Sequence, residues 1–226
     1  MTRSLLVLPS PLLPALAYRD LAAALTPDTE RIEIATIDPA LSGGADGVID
    51  AWSEQARAHD ALVAHSNAGY LAPLVRERCG HDLPVVFLDA ALLPSTGSSR
   101  LAPFRFLAFV AGLVADDGLL PPWTRWWTRE ELRDVIPDAR FAEIDRACPR
   151  LPLSYFQSTV AAPAGWVTTP NAYLALGSTY ADELACARTW RWSHTQIDGG
   201  HLHFLHQPEA VAAAVLALLD ALDPRI

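Results

Sequence analysis

The amino-acid sequence predicts a doubly wound α/β fold, with a mostly parallel, six-stranded sheet and a helical lid inserted after the fourth strand. Short apolar runs alternate with helical patterns over residues 1–90, which is typical of βαβ units. The alternation stops between Ala91 and Trp166 and resumes at Ala172. A chain of 226 residues is long enough for one such domain with a lid.

The first part of the chain carries four short apolar segments that we interpret as strands. The predicted strands are Leu5–Leu8, Arg31–Thr36, Ala61–Ala64 and Pro84–Leu88. Helical patterns and one polar, glycine-rich loop lie between them. The predicted helices are Ala15–Leu25, Val48–Ala58 and a segment from Ser66 to about Arg78, and the predicted loop is Ser42–Gly47.

The second part of the chain first loses and then recovers this rhythm. Residues 91–166 show no convincing strand, and three apolar stretches predict helices in this lid: Phe104–Val114, Glu130–Ile136 and Arg140–Ala147. Two strands are expected after the lid, at Ala172–Leu176 and Trp192–Ile197, and each is followed by a helix. The two helices are Ala181–Ala187 and Gln207–Leu222. The predicted organisation is a core of residues 1–90 and 167–226 and a helical lid of residues 91–166.

Composition excludes several classes of function. The formal net charge of -9 argues against nucleic-acid binding, because phosphate backbones are bound by clustered positive charge. The chain has no lysine, so a lysine Schiff base, a pyridoxal phosphate anchor and a P-loop lysine are all impossible. Three scattered cysteines form neither a disulfide framework nor a zinc knuckle. We therefore expect no cofactor and no metal.

The expected location is the cytoplasm, where cysteines stay reduced. The apolar stretch after Arg3 has some features of a signal peptide, and secretion remains the alternative. However, Pro9, Pro11 and Pro14 interrupt that stretch, and a single arginine is a weak positive flank. No apolar run approaches the roughly 20 residues that a membrane span needs, so no membrane association is expected. The expected partner is a small-molecule substrate, with a homodimer possible.

Ser66 is the candidate nucleophile. It follows the third strand directly and precedes a helix, and Ala64, Ala68 and Gly69 surround it. A serine on a sharp strand-to-helix turn needs small neighbours, and the turn exposes its hydroxyl beside the first N–H groups of the helix. The alternative interpretation is a serine that only caps the helix.

Two motifs resemble those of the α/β-hydrolase superfamily. The segment Leu62–Gly69 is similar to its nucleophile elbow, with Ala64 and Ala68 in place of two glycines. The segment Asp198–His201, followed by Pro208 and a terminal helix, resembles its catalytic-histidine loop. The resemblance spans nearly the whole chain, from Leu5 to Leu219, and the family's usual first hairpin is expected to be absent. It implies that His201 accepts the Ser66 proton and later protonates the leaving group.

The resemblance leaves two candidates for the triad acid. The family usually places it after the strand that follows the lid, but Tyr180 stands at that position here and Asp182 comes two residues later. Asp89 ends the fourth strand, where some members of the family carry their acid. We favour Asp89 and keep Asp182 as the alternative. Asp89 could also be only a polar stop to a buried strand.

The predicted oxyanion hole is unusual. The residue aligned with the family's first backbone donor is Pro11, which has no N–H. The N–H of Leu12 or the hydroxyl of Ser10 could replace it, and the N–H of Asn67 is the second expected donor. Loss of one such donor typically costs about 10²–10³ in rate.

The lid is rich in tryptophan, which favours an apolar pocket over the serine. We expect Trp123, Trp126, Trp127 and His203 to line it, although plain lid packing would also explain the tryptophans. His203 and His206 near His201 are spaced somewhat like metal ligands, but no acidic residue lies among them. His65 is expected to pack rather than act as a base.

These observations predict a serine hydrolase that acts on an ester or related acyl group of a small to medium apolar or aromatic molecule. The altered turn at Pro9–Leu12 favours an alternative, a lyase or cyclase of specialised metabolism with the same fold. A catalytically silent binding protein is a third possibility.

Overall fold

The fold centres on one parallel sheet of six strands. A computed structural model describes residues 3–36 and 44–223, and it orders the strands β2-β1-β3-β4-β7-β8. The six strands are β1 (Arg3–Leu8), β2 (Thr29–Ile34), β3 (Ala61–His65), β4 (Val85–Leu88), β7 (Asn171–Leu176) and β8 (Ser193–Ile197). Every neighbouring pair in this sheet is parallel, so the predicted doubly wound sheet is confirmed.

Helices connect the strands and cover both faces of the sheet. The α-helices are α1 (Arg19–Leu25), α2 (Gly44–Ala56), α3 (Ala72–Cys79), α4 (Phe104–Ala111), α5 (Asp138–Ala147), α6 (Leu153–Gln157), α7 (Ala181–Thr189) and α8 (Pro208–Ala221). Short 3-10 turns precede or follow several of them, at Ala15–Tyr18, Thr26–Asp28, Ser66–Tyr70, Trp123–Arg125, Trp166–Thr168 and His203–Leu205. None of the helices formed by the described residues has both the length and the apolar character needed to cross a bilayer.

The central strands are apolar because they are covered on both sides. Every residue of β3, β4 and β7 is buried, whereas partly buried and exposed positions alternate along the edge strand β8. Alternate side chains of each central strand enter two hydrophobic clusters, one on each face. The helices α2 and α3 cover one cluster, and α1 and α8 cover the other.

The segment between β4 and β7 differs from its prediction in two places. It contains a short antiparallel pair, β5 (Ser98–Arg100) with β6 (Thr159–Ala161), where no strand was expected. Three-residue strands with largely exposed side chains give no detectable periodicity. The predicted helix Glu130–Ile136 is wrong: these residues form successive turns, because the segment is short and is followed by Pro137.

The remaining differences concern boundaries. The predicted polar loop Ser42–Gly47 is wrong from Gly44 onwards, where α2 already begins, and its first two residues lie outside the described part of the chain. The predicted third helix is divided into the 3-10 turn Ser66–Tyr70 and α3. Most other predicted strands and helices agree with the structure to within a few residues, as expected for boundaries inferred from pattern alone.

Candidate active site

Ser66 lies on a strained turn at the carboxyl end of β3. Its backbone φ is 59°, a left-handed conformation that is uncommon for serine, and only 7% of the residue is exposed. Gly69 permits the turn, because a Cβ atom there would lie 2.0 Å from the carbonyl oxygen of Ala91. The Ala91 N–H donates to the Ser66 carbonyl at 3.0 Å. These contacts hold the turn against the segment that follows β4.

Asp89 is the first residue after β4 and also has a positive φ, of 41°. Its side chain is fully buried, and its Oδ1 accepts a hydrogen bond from the Leu176 N–H at 2.9 Å. The Tyr173 hydroxyl holds the next residue by accepting from the Ala90 N–H and donating to the Ala90 carbonyl. A buried carboxylate thus has both its backbone and one of its oxygens fixed.

His201 joins Ser66 and Asp89. Its Nε2 lies 3.0 Å from Ser66 Oγ, and its Nδ1 lies 2.7 Å from Asp89 Oδ2. The structure therefore brings the predicted nucleophile, base and favoured acid together, although they are far apart in sequence. Asp182 is exposed in the first turn of α7, and the position next to the imidazole that it would need is occupied by Asp89.

His65 packs against His201 and contacts its backbone. Its ring is fully buried and stacks on the His201 ring, with a centroid separation of 4.6 Å. Its Nε2 lies 3.2 Å from the His201 carbonyl oxygen, which can only accept, so Nε2 carries the proton. Burial, aided by the nearby charge of His201, lowers the pKa of His65 well below its ordinary value. His65 is therefore neutral, as expected for a packing residue rather than a base.

The proton on Nε2 of His65 fixes the direction of a longer hydrogen-bonded chain. Nδ1 of His65 must accept, and its partner is the Tyr18 hydroxyl at 2.8 Å. The Tyr18 oxygen in turn accepts from the Ser10 N–H at 2.7 Å. This chain, which we call the Ser10–His201 relay, connects the turn after β1 to the backbone of the histidine loop. No local pattern in the sequence indicates this relay.

The turn after β1 presents few free donors. Pro11 has no N–H, the Leu12 N–H is directed at the Ser10 hydroxyl oxygen 3.4 Å away, and the Leu13 N–H donates to the Ser10 carbonyl at 2.9 Å. The N–H of Asn67 is better placed, because it belongs to the first turn of a short helix, where N–H groups lack partners within the helix. The role of Leu12 as an oxyanion donor stays a prediction.

The side chain of Asn67 connects the serine turn to the segment between β4 and β7, which we call the insertion. Its Nδ2 donates to the Leu101 carbonyl at 2.7 Å, and its Oδ1 accepts from the Tyr155 hydroxyl at 2.7 Å. Both groups are buried in this segment between β4 and β7. Sequence reasoning considered only the backbone of Asn67, and nothing in the local pattern indicated these distant partners.

The predicted pocket residues lie in different surroundings. Trp123 is partly buried and contacts both hydrophobic clusters. Trp126 is buried among phenylalanines and donates to the Pro121 carbonyl, whereas Trp127 is 40% exposed. Within the described ranges no hydrogen bond or ring contact joins His203 to Ser66, Asp89 or His201; its ring packs against Gly199 instead. The role of the four residues in substrate binding stays a prediction.

Tyr180 is a site residue that the sequence analysis noticed only as a substitute for the usual acid. It precedes α7, and its ring centroid lies 5.5 Å from that of His201. Burial raises the pKa of Tyr180 to about 12, against a smaller opposing contribution from the Ser66 side chain. A signal was available, since a polar aromatic residue occupies a strand-end position that faces the histidine loop.

Similarity to known proteins is structural only. No protein-family model matches this chain, and no curated protein matches it significantly. Among solved structures, it resembles an extracellular α/β-hydrolase from a Paenibacillus species, with a TM-score of 0.72 and 14% identity over 95% of this chain and 98% of that one. The chain has the α/β-hydrolase fold.

Two further structures with the α/β-hydrolase fold illustrate the range of similar proteins. A pyrethroid hydrolase from Sphingobium faniae JZ-2 matches with a TM-score of 0.70 and 17% identity, over 98% of each chain. A variant of tomato methylketone synthase I matches with a TM-score of 0.68 and 9% identity, over 99% of this chain and all of that one. In the α/β-hydrolase fold of this protein, Ser66, Asp89 and His201 all follow carboxyl ends of parallel strands, where such sheets carry their sites.

Proposed function

We propose that this protein is a serine hydrolase that cleaves an ester or related acyl group through Ser66, His201 and Asp89. The observation that carries the proposal is the continuous hydrogen-bonded series from Ser66 Oγ through the His201 ring to Asp89 Oδ2, at 3.0 and 2.7 Å. A serine is a weak nucleophile unless an adjacent base removes its proton, and an oriented imidazole is the usual base.

The proposed reaction assigns one role to each group. His201 Nε2 takes the Ser66 proton as Oγ attacks the acyl carbon, and the tetrahedral intermediate forms with negative charge on the former carbonyl oxygen. His201 then gives the proton to the leaving group, and an acyl-enzyme remains. Water attacks that acyl group with the same assistance, which releases the acid and restores Ser66. Asp89 holds the imidazole in the required tautomer throughout.

The proposed substrate is a small to medium apolar or aromatic molecule. The support is the composition of the insertion, where Trp126 lies in ring contact with Phe106, Phe109 and Phe156. This segment also reaches the serine turn through the bonds that Asn67 makes. One similar structure is that of a pyrethroid hydrolase, and pyrethroids belong to this class of substrate.

The decisive experiment is an intact-mass measurement after exposure to a serine-reactive fluorophosphonate. We expect one adduct, which maps to Ser66, and we expect Ser66→Ala to lose both labelling and ester turnover. Ser53→Ala is the matched control, because Ser53 is also buried and its hydroxyl donates to the carbonyls of Ile49 and Val75. Full activity in Ser66→Ala would refute the proposed nucleophile.

A lyase or cyclase is the second candidate, because Pro11 removes one conventional oxyanion donor. A similar fold is found in tomato methylketone synthase I, which is named as a synthase and not as a hydrolase. Turnover of p-nitrophenyl esters is expected to be Ser66-dependent but well below the roughly 10 s⁻¹ of an ordinary enzyme. Incorporation of oxygen from isotopically labelled water into the product acid would support hydrolysis; its absence during turnover of the natural substrate would support the second candidate.

A further inference from the structure

The peptide between Ser66 and Asn67 carries the N–H group that is expected to bind the oxyanion. The carbonyl oxygen of this peptide belongs to Ser66, and it accepts from the Ala91 N–H at 3.0 Å. The peptide is planar and trans, so its N–H points away from its carbonyl. The bond from Ala91 therefore fixes one side of the peptide. Its orientation about that bond depends on how firmly Asn67 is held.

The side chain of Asn67 supplies a second anchor. The Leu101 carbonyl can only accept, so the amide nitrogen Nδ2 faces it at 2.7 Å, and Oδ1 is left to accept from the Tyr155 hydroxyl at 2.7 Å. Burial raises the pKa of Tyr155 far above its ordinary value, so this hydroxyl keeps the proton that it donates. All three residues are buried, which limits competition from water. We call these two bonds the Asn67 clamp.

The two partners of Asn67 are also held relative to each other. Leu101 directly follows β5, and Tyr155 lies in α6. The Leu101 N–H donates at 3.1 Å to the carbonyl of Ser158, the residue between α6 and β6. The antiparallel pairing of β5 with β6 continues from this bond. The short sheet and α6 therefore form one support for both bonds of the Asn67 clamp.

We propose that Tyr155 is a positioning residue, which holds the Ser66–Asn67 peptide through the Asn67 clamp in the orientation that its N–H needs to bind the oxyanion. The hydroxyl of Tyr155 contacts Asn67, so its effect on the reaction is indirect. This inference rests on the proposed function of Ser66 and adds a link between that site and the insertion.

The turn after β1 makes the orientation of this N–H more important. Pro11 has no N–H, and the Leu12 N–H is directed at the Ser10 hydroxyl 3.4 Å away. A site with fewer donors depends more on each donor that remains, because the oxyanion is stabilised by groups that are already aimed at it. Loosening the Asn67 clamp should therefore slow acyl transfer without weakening the binding of the substrate.

The first measurement is the steady-state kinetics of Tyr155→Phe on a p-nitrophenyl ester. The variant removes one oxygen atom and keeps the ring that packs against Phe156. A displacement of about 1 Å at a reacting centre can cost about 10²-fold in rate, so we expect kcat and the rate of fluorophosphonate labelling of Ser66 to fall by about 10²-fold, with KM nearly unchanged. Thr124→Val is the matched control. Thr124 is also buried in the insertion, but its hydroxyl donates to Asp145, so wild-type kcat and labelling are expected.

A second variant separates positioning through Asn67 from a merely structural role. Asn67→Ala keeps the backbone N–H and removes both bonds of the Asn67 clamp, so it should lose at least as much kcat as Tyr155→Phe. In the Asn67→Ala background, Tyr155→Phe should cost no further kcat, because its hydroxyl no longer has Asn67 Oδ1 to hold. A structural role independent of Asn67 would give the same loss in both backgrounds.

Several outcomes would overturn the inference while the proposed function stands. They are a loss of kcat below about threefold in Tyr155→Phe or in Asn67→Ala, an equal loss in Thr124→Val, and an undiminished effect of Tyr155→Phe in the Asn67→Ala background. Absence of labelling in the wild-type protein would instead overturn the proposed function, and this inference with it.

Discussion

The Ser10–His201 relay should be measurable by removing one oxygen atom. Tyr18→Phe deletes the hydroxyl that accepts from the Ser10 N–H at 2.7 Å and donates to Nδ1 of His65 at 2.8 Å. Tyr18 and His65 are fully buried and Ser10 is 3% exposed, so water cannot replace the lost partner without a rearrangement. The phenyl ring of the variant retains the stacking of Tyr18 on Phe204 at 5.0 Å.

The expected loss of stability follows from the number of polar groups left without partners. Each buried group that loses its hydrogen bond costs about 1–3 kcal/mol, and Tyr18→Phe leaves two, so we expect a loss of about 2–6 kcal/mol. Tyr155→Phe is the matched control, because that hydroxyl is also buried but donates to a single acceptor, Asn67 Oδ1. Its expected loss is about 1–3 kcal/mol.

Denaturant unfolding of the two variants and the wild-type protein would measure this difference at constant m-value. In a chain of this size, 1 kcal/mol corresponds to about 2–4 °C in Tm, so thermal scans should rank the variants in the same order. Exchange of the Ser10 amide hydrogen should also accelerate in Tyr18→Phe. A loss no larger than that of Tyr155→Phe would refute the reasoning, because it would mean that Ser10 and His65 find other partners at no cost.

Two further predictions concern the imidazoles. Asp89→Asn should lower kcat by about 10⁴-fold with little loss of stability, because an amide N–H beside Nδ1 imposes the wrong tautomer on His201. Asp182→Asn should keep a kcat near that of the wild-type protein. The reverse result in steady-state kinetics would contradict the assignment of Asp89 as the triad acid. Folding lowers the pKa of His65 below its ordinary value of 6.5. Around and below pH 6.5, the unfolded chain therefore binds more protons at this imidazole than the folded protein does. The free energy of unfolding should therefore fall by up to about 1.4 kcal/mol per pH unit below 6.5, and His65→Gln should flatten that slope in denaturant titrations.

The parts of the fold that sequence could predict are those whose signal is local. β4 is a run of four apolar residues ended by Asp89, and burial on both faces is enough to require such a run. The strand β5 escaped prediction because Ser98–Arg100 is mostly exposed and pairs only with one short partner. The hydrophobic pattern of a segment reflects how that segment is buried against the neighbouring layer. A short, exposed strand is hardly buried, so its sequence has no such pattern.

The candidate site divides in the same way. Ser66 and His201 were recognisable because each stands in a motif with its own local backbone requirement. Asp89 was preferred by position, and its bond to His201 follows from the sheet order, which places β4 between β3 and β7. The relay through Tyr18 could not have been predicted, because its members come from three separate segments and none of them carries a distinctive neighbour.

The geometry of the site depends on backbone contacts at some distance from the reacting atoms. Gly69 brings the serine turn against Ala91, and Gly177 brings the loop of Tyr180 against Gly199. Each contact joins the carboxyl ends of neighbouring strands, so a side chain at either glycine would displace a reacting group by moving the backbone that carries it. Beyond Ala91, the insertion reaches the serine turn through the Leu101 carbonyl and the Tyr155 hydroxyl, which both bond to the Asn67 side chain. We therefore expect the insertion to tolerate change that alters substrate preference, while the two glycine contacts must be kept for the three strand ends to work together.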